Sequence, residues 1–142
     1  MIPPIKHSTF INVSPALVYE TLTTAKGWNA WFTHDMQLDL RIGGEMIFRW
    51  KNWGPNHVTT EDHARVLEIV AERKFAFLWN KHEGGTTVTF TLEPRAGGTV
   101  LHINDGGYRS MEYFIECATG WGEAMTLLKF YLEHGAIYGD CP

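Results

Sequence analysis

Cysteine is scarce in this chain of 142 residues. Cys117 and Cys141 are too few for a disulfide framework and lack the spacing of a metal knuckle. Cys117 reads as a small apolar residue in or beside a core, and Cys141, the penultimate residue, as a tail thiol. Basic runs are missing as well. With 12 Lys and Arg against 16 Asp and Glu the formal net charge is −4. That removes the electrostatic reason to approach phosphate backbones or anionic headgroups, and nucleic acid is not expected as a partner. No apolar run approaches the roughly 18 to 20 residues of a membrane span, and the opening residues Met1 to Lys6 lack a signal peptide's apolar segment. The expectation is a cytoplasmic protein with no membrane insertion.

Catalytic signatures are also absent. No G-x-S-x-G, H-E-x-x-H or phosphate loop occurs, and Gly43-Gly44 and Gly106-Gly107 read as turns. The histidines, His7, His34, His57, His63, His82, His102 and His134, lack the one-turn or paired spacing that sets ligands on one face. His57 and His63, beside Glu61 and Asp62, read as a solvated strand end. No metal and no cofactor is expected.

Aromatic residues, in contrast, are abundant: 13% of the chain, including six Trp. That is more than a core of this size usually needs, so some of this surface is expected to face a ligand. The length suits one domain, residues 1–142, able to bury roughly two thirds of its unfolded surface without metal or disulfide staples.

Residues 7–13 alternate polar and apolar as a strand, and Ser14-Pro15 supplies an N-cap with proline at the first helical position. Gly27 is expected to break that helix, with Trp28, Trp31 and Phe32 forming a second short helical turn. Residues 36–40 and 46–50 flank Gly43-Gly44, a turn between antiparallel strands that puts Met46, Phe48 and Trp50 on one face. Residues 53–56 read as a loop. Residues 63–71 and 74–80 form a hairpin with Phe75, Phe77 and Trp79 on one face. Val88, Phe90 and Leu92 alternate with Thr87, Thr89 and Thr91, the pattern of a sheet with one buried face. The last strand sets Leu101, Ile103 and Asp105 opposite Val100, His102 and Asn104. Phe114, Ala118, Trp121, Met125, Leu128 and Leu132 then recur at alternating steps of four and three, the stripe of a long amphipathic helix. The order is that of an α+β domain whose antiparallel sheet curls around its last helix.

Several short motifs recur in a particular order: Pro15-Ala16-Leu17-Val18-Tyr19, the cluster Trp28-Asn29-Ala30-Trp31-Phe32, Asp39-Leu40-Arg41-Ile42-Gly43-Gly44, Phe77-Leu78-Trp79, Gly98-Thr99 and Gly120-Trp121. Together they span nearly the whole chain, and the set resembles the activator-of-Hsp90-ATPase-like branch of the START/Bet v (SRPBCC) superfamily. The resemblance implies a helix-grip fold. In it a curved antiparallel sheet of six or seven strands wraps a long C-terminal helix, with two short helices near the N-terminus and an apolar cavity between sheet and helix.

One helix is roughly 10 to 12 Å wide and can press on only part of such a sheet. Any single aromatic, Phe75 or Phe90 for example, is ordinary core. Collectively, Trp28, Trp31, Phe32, Phe48, Trp50, Phe77, Trp79, Phe90, Ile103, Phe114, Ala118, Trp121 and Met125 are expected to line the remaining space. Asp105 and His63 are its candidate polar groups, with Tyr108 and Arg109 at the mouth. A buried carboxylate near an imidazole can do acid-base work, while N-capping of the last helix is the competing role for Asp105. The leading expectation is non-catalytic binding of a hydrophobic or aromatic small molecule or lipid-like ligand. The alternatives are interaction with a chaperone or other protein, as the family name suggests, and an enzyme acting on an aromatic or polyketide-like substrate.

Overall fold

The computed structural model describes residues 1–53, 55–80 and 84–136; Gly54 of the expected loop, His82 and Cys141 lie outside the described residues. The alternating N-terminal stretch pairs as strand β1 (Ile5–Ile11), and Ser14 then opens helix α1 (Pro15–Thr23), its side chain accepting the Leu17 N–H at 3.3 Å. The helix does not end at Gly27. It ends at Thr24, whose extended backbone (φ −129°, ψ 146°) lets its hydroxyl accept the Gly27 N–H at 3.0 Å and cap helix α2 (Ala25–Trp31). Gly27 serves close packing instead. A Cβ there would come within 2.2 Å of the Thr21 carbonyl oxygen, so the absence of a side chain lets the two helices meet.

Strands β2 (Gln37–Leu38) and β3 (Glu45–Trp53) flank a turn at which Gly43 has φ +81°. Trp53 closes β3 rather than opening a loop. Strands β4 (Val58–Val70), β5 (Lys74–Trp79), β6 (Thr86–Arg95) and β7 (Gly98–Gly106) complete a seven-stranded antiparallel sheet of order β1-β7-β6-β5-β4-β3-β2. The register shifts between Trp50 and Trp53 and between Val66 and Glu68; such irregularities bend and twist a sheet locally. Met46, Phe48 and Trp50, then Phe75, Phe77 and Trp79, then Val88, Phe90 and Leu92 are all buried on one face, while Thr87 and Thr91 are exposed.

Helix α3 (Met111–His134) covers that face. Its N-cap is Ser110, which accepts the Tyr113 N–H at 3.4 Å, so the capping role considered for Asp105 falls to Ser110. Gly135, at φ +71°, returns its N–H to the Tyr131 carbonyl and ends the helix. This is the helix-grip arrangement. The grip is uneven along α3: Trp121, Ala124, Met125 and Leu128 are buried, but Phe114, Cys117 and Ala118 in its first half are only partly so.

Candidate functional site

Around Trp28 the aromatic side chains close the gap. Trp28, anchored by its indole N–H on the Leu22 carbonyl at 2.8 Å, stacks on Trp31 at 5.0 Å and meets Phe48 edge-on at 5.1 Å. Phe77 and Phe90 pack around it at 6.4 and 6.1 Å. Trp28, Phe48, Phe77 and Phe90 are completely buried, and Trp31, Ile103 and Met125 nearly so. Aromatic contacts of this kind add roughly 0.5 to 1.5 kcal/mol each beyond area burial. These residues are buried core, and none of them lines the open cleft.

Beneath residues 116–124 of α3 the gap stays open. A cleft of about 480 Å³ runs between that stretch and one end of the sheet. Its sheet side is formed by Trp50 and Trp53 of β3, Thr60 and Asp62 of β4, Trp79 of β5, Thr86 of β6 and Asp105 of β7. Its helix side is formed by Glu116, Cys117, Thr119, Gly120, Trp121, Glu123 and Ala124, with Phe32, Pro55 and Tyr108 at the margins. The rings are ordered. Trp50 and Trp79 lie within 6° of parallel with centroids 6.3 Å apart, and Trp121 meets Trp79 edge-on at 5.8 Å. Phe32 meets both Trp50 and Trp53 edge-on at 5.4 Å.

Asp105, only 2% exposed, is the buried polar centre of the cleft. Its Oδ2 accepts the Trp121 indole N–H at 2.9 Å and the Tyr108 hydroxyl, while Oδ1 has no partner among the described residues. Burial, then the Asp105 carboxylate and the adjacent Cys117 thiol, pushes the Tyr108 phenol well above its ordinary pKa, so Tyr108 stays protonated and donates. Asp62 accepts the Trp79 indole N–H at 3.1 Å. The buried Trp50 indole N–H finds no acceptor among the described residues, and neither does that of Trp31 in the closed core. Such unpaired buried groups are uncommon and call for an explanation.

Of the residues expected at the site, Phe32, Trp50, Trp79, Asp105 and Trp121 come together in the cleft. Phe114 stands beside it, edge-on to Tyr108 at 5.8 Å, and Ala118 is half-buried. His63 does not join them. It lies on the outer face, bonded to Glu61 at 2.8 Å and 3.6 Å from Glu45, and the Glu61 hydrogen bond raises its pKa. The Asp105–His63 acid-base pair is therefore not formed. Arg109 packs against Gly84 rather than lining the cleft. His57 sits in a turn at φ +50°, outside β4. Among the described residues no group of three His, Cys, Asp or Glu could hold a metal ion.

Sequence reasoning missed Asp62, Trp53 and the Glu116, Gly120 and Glu123 wall. Asp62 shares strand parity with the buried Ala64, and positions 116, 120 and 123 recur at helical spacing; both signals were present. Trp53 carried none. Met46, Phe48 and Trp50 exclude it from their face by parity, and only the register shift after Trp50, at an Asn52 with φ +53°, returns it.

Three solved structures place this geometry among known folds. The Aha1 dimer of Colwellia psychrerythraea aligns over 95% of this chain and 98% of that one, at 24% identity and a TM-score of 0.82. A Bacillus halodurans protein solved in solution aligns over 93% and 98%, at 21% identity and a TM-score of 0.76. DynU16, a protein of the dynemicin biosynthetic locus, aligns over 96% of this chain but 49% of its own, at 18% identity and a TM-score of 0.83. At such identities the likeness establishes fold alone. No protein of curated function matches the chain in sequence. The model of the family described as Activator of Hsp90 ATPase homolog 1-like protein matches residues 12–133, from the end of β1 to the last turn of α3; the chain belongs to that family.

Proposed function

We propose that the cleft binds a small organic molecule with an aromatic or lipid-like apolar body. The observation that carries this reading is the uneven grip of α3: the sheet and helix seal together around Trp28, yet leave about 480 Å³ open against Trp50, Trp53, Trp79 and Trp121. Small-molecule sites are typically about 300 to 1,000 Å³, mostly apolar, with a few placed polar groups. Asp105 Oδ1 and the Trp50 indole N–H are such groups, buried and unpaired among the described residues. Among the described residues the hydrogen-bond partners of Asp105 are Tyr108 and Trp121, neither of them a histidine or an acid, and we read the arrangement as a binding site.

Gly120 supplies the test. It lines the cleft, and a Cβ placed there meets nothing within 4 Å. Gly120→Trp should therefore fill the cleft without unfolding the protein. An environment-sensitive apolar dye should bind the parent and lose the variant, while the melting temperature holds. A dye bound equally by both, or by neither folded protein, would overturn the reading.

A second reading, docking of a protein partner such as a chaperone, draws on the exposed Met111, Tyr113 and Ile115 at the start of α3 together with the family description. Its test is complex formation with an Hsp90-type ATPase that is lost in Ile115→Glu.

A further inference from the structure

Charge narrows the class of ligand. The cleft is lined by the carboxylates of Asp62, Asp105, Glu116 and Glu123, and no Lys, Arg or His of the described residues lines it. The chain as a whole carries 12 basic and 16 acidic residues, so an acids-only lining is not simply the composition of the surface. Nor are these acids neutralised locally, for none forms a salt bridge among the described residues. Asp105 is the decisive one. It is buried, two N–H and O–H donors already occupy Oδ2, and Oδ1 remains without a partner. A buried carboxylate oxygen left unpaired is costly, and a cation that donates to it offsets that cost.

The walls suit the same charge. The Trp50, Trp53, Trp79 and Trp121 rings present several π systems to the space. A cation within about 6 Å of an indole face is attracted by the ring quadrupole, more strongly when water is excluded. An anionic ligand would meet four carboxylates, and a neutral hydroxyl would donate to Asp105 Oδ1 without compensating its charge.

Building on the binding role proposed above, we infer that the ligand is an organic ammonium ion. Its protonated amine sits against Asp105 and the tryptophan faces, and its apolar body fills the rest of the cleft, with Glu116 and Glu123 at the rim drawing the cation in.

Three compounds that share one body and differ in the head group separate this inference from the reading beneath it: 4-phenylbutylamine, 4-phenylbutanol and 4-phenylbutyrate. Each is titrated into the full chain at fixed ionic strength and followed through the tryptophan indole N–H signals. The amine should bind about tenfold more tightly than the alcohol or better, with the carboxylate weakest. Glu116→Gln with Glu123→Gln, both on the exposed rim, should leave the melting temperature unchanged and narrow the gap between amine and alcohol about threefold. Asp105→Asn should narrow it further, and the rim variant covers the case in which Asp105→Asn fails to fold. Gly120→Trp should abolish binding of the amine, excluding loose attraction to an acidic surface. If amine and alcohol bind alike, or the carboxylate binds best, the charge inference is overturned while the apolar binding site stands. If none of the three binds the folded parent, both fall.

Discussion

The two halves of the space between α3 and the sheet are built from the same kinds of side chain and do different things. At the closed half, α2 inserts Trp28 between Phe48, Phe77 and Phe90, and every ring there is sealed from water. At the open half no element of the described residues does what α2 does, and Trp50, Trp53, Trp79 and Trp121 stand around a cleft with a buried carboxylate at its centre. Aromatic content alone does not distinguish a core from a pocket. What distinguishes them is whether another segment of chain fills the remaining volume.

The largest test of that contrast is Phe90→Ala. The ring is completely buried in the closed half, and its loss should cost roughly 3 to 5 kcal/mol because the surrounding rings cannot collapse fully into the hole. Trp53→Ala removes a larger side chain but only widens an existing cleft, so it should cost less than half as much. Equal losses in denaturant titrations would erase the distinction between the halves. Thr89→Lys, on the opposite face of the same strand as Phe90, should cost little.

Asp105→Ala comes next, at roughly 1 to 3 kcal/mol for each stranded donor, Tyr108 and Trp121. Asp105→Asn keeps an acceptor oxygen and should cost clearly less. If the two variants melt alike, the carboxyl oxygens are not what orders the cleft.

The glycines sharpen the comparison further. Gly27→Ala should be strongly destabilising, because its Cβ meets the Thr21 backbone at 2.2 Å where α2 packs on α1. Gly120→Ala should instead stabilise by up to about 1 kcal/mol through helix propensity, since nothing lies within 4 Å. Thermal melts of the two variants decide it, and shifts of the same sign would contradict a tight α1–α2 contact beside an open cleft wall at Gly120.

Much of this architecture was legible from alternation. Val88, Phe90 and Leu92, or Leu101, Ile103 and Asp105, declare their face because the strand period is two and one face is wet. The same rule brought Trp50, Trp79 and Asp105 to the inner face. It failed where the chain departs from strict alternation. Along β4, Leu67 and Ile69 share parity with His63 and would turn it inward, but the register shift between Val66 and Glu68 reverses the face, leaving Asp62 inside and His63 out. The pocket boundary was not legible at all. Phe48 and Trp50 are two residues apart on one face, and only the placement of α2 makes the first core and the second cleft wall.

The smallest expected effect lies outside both halves, on His63. The Glu61 hydrogen bond holds its folded pKa above the ordinary histidine value. Its contribution is therefore fully present below the unfolded pKa of about 6.5 and is lost as pH rises through the folded pKa. Glu61, held below its ordinary value by the same bond, stays ionised across that range. His63→Gln should lower the melting temperature slightly near pH 5.5 and leave it unchanged near pH 8.5. A loss confined to high pH would contradict the pairing.

The six tryptophans divide cleanly between the two halves: Trp28 and Trp31 in the closed core, Trp50, Trp53, Trp79 and Trp121 on the cleft. Their indole N–H resonances, assigned and followed during titration with a small aromatic ligand such as 4-phenylbutylamine, test the central claim most directly. The account predicts saturable shifts at Trp50, Trp53, Trp79 and Trp121 with Trp28 and Trp31 unmoved. Shifts centred on Trp28 and Trp31, or no saturable shift at the other four, would contradict it.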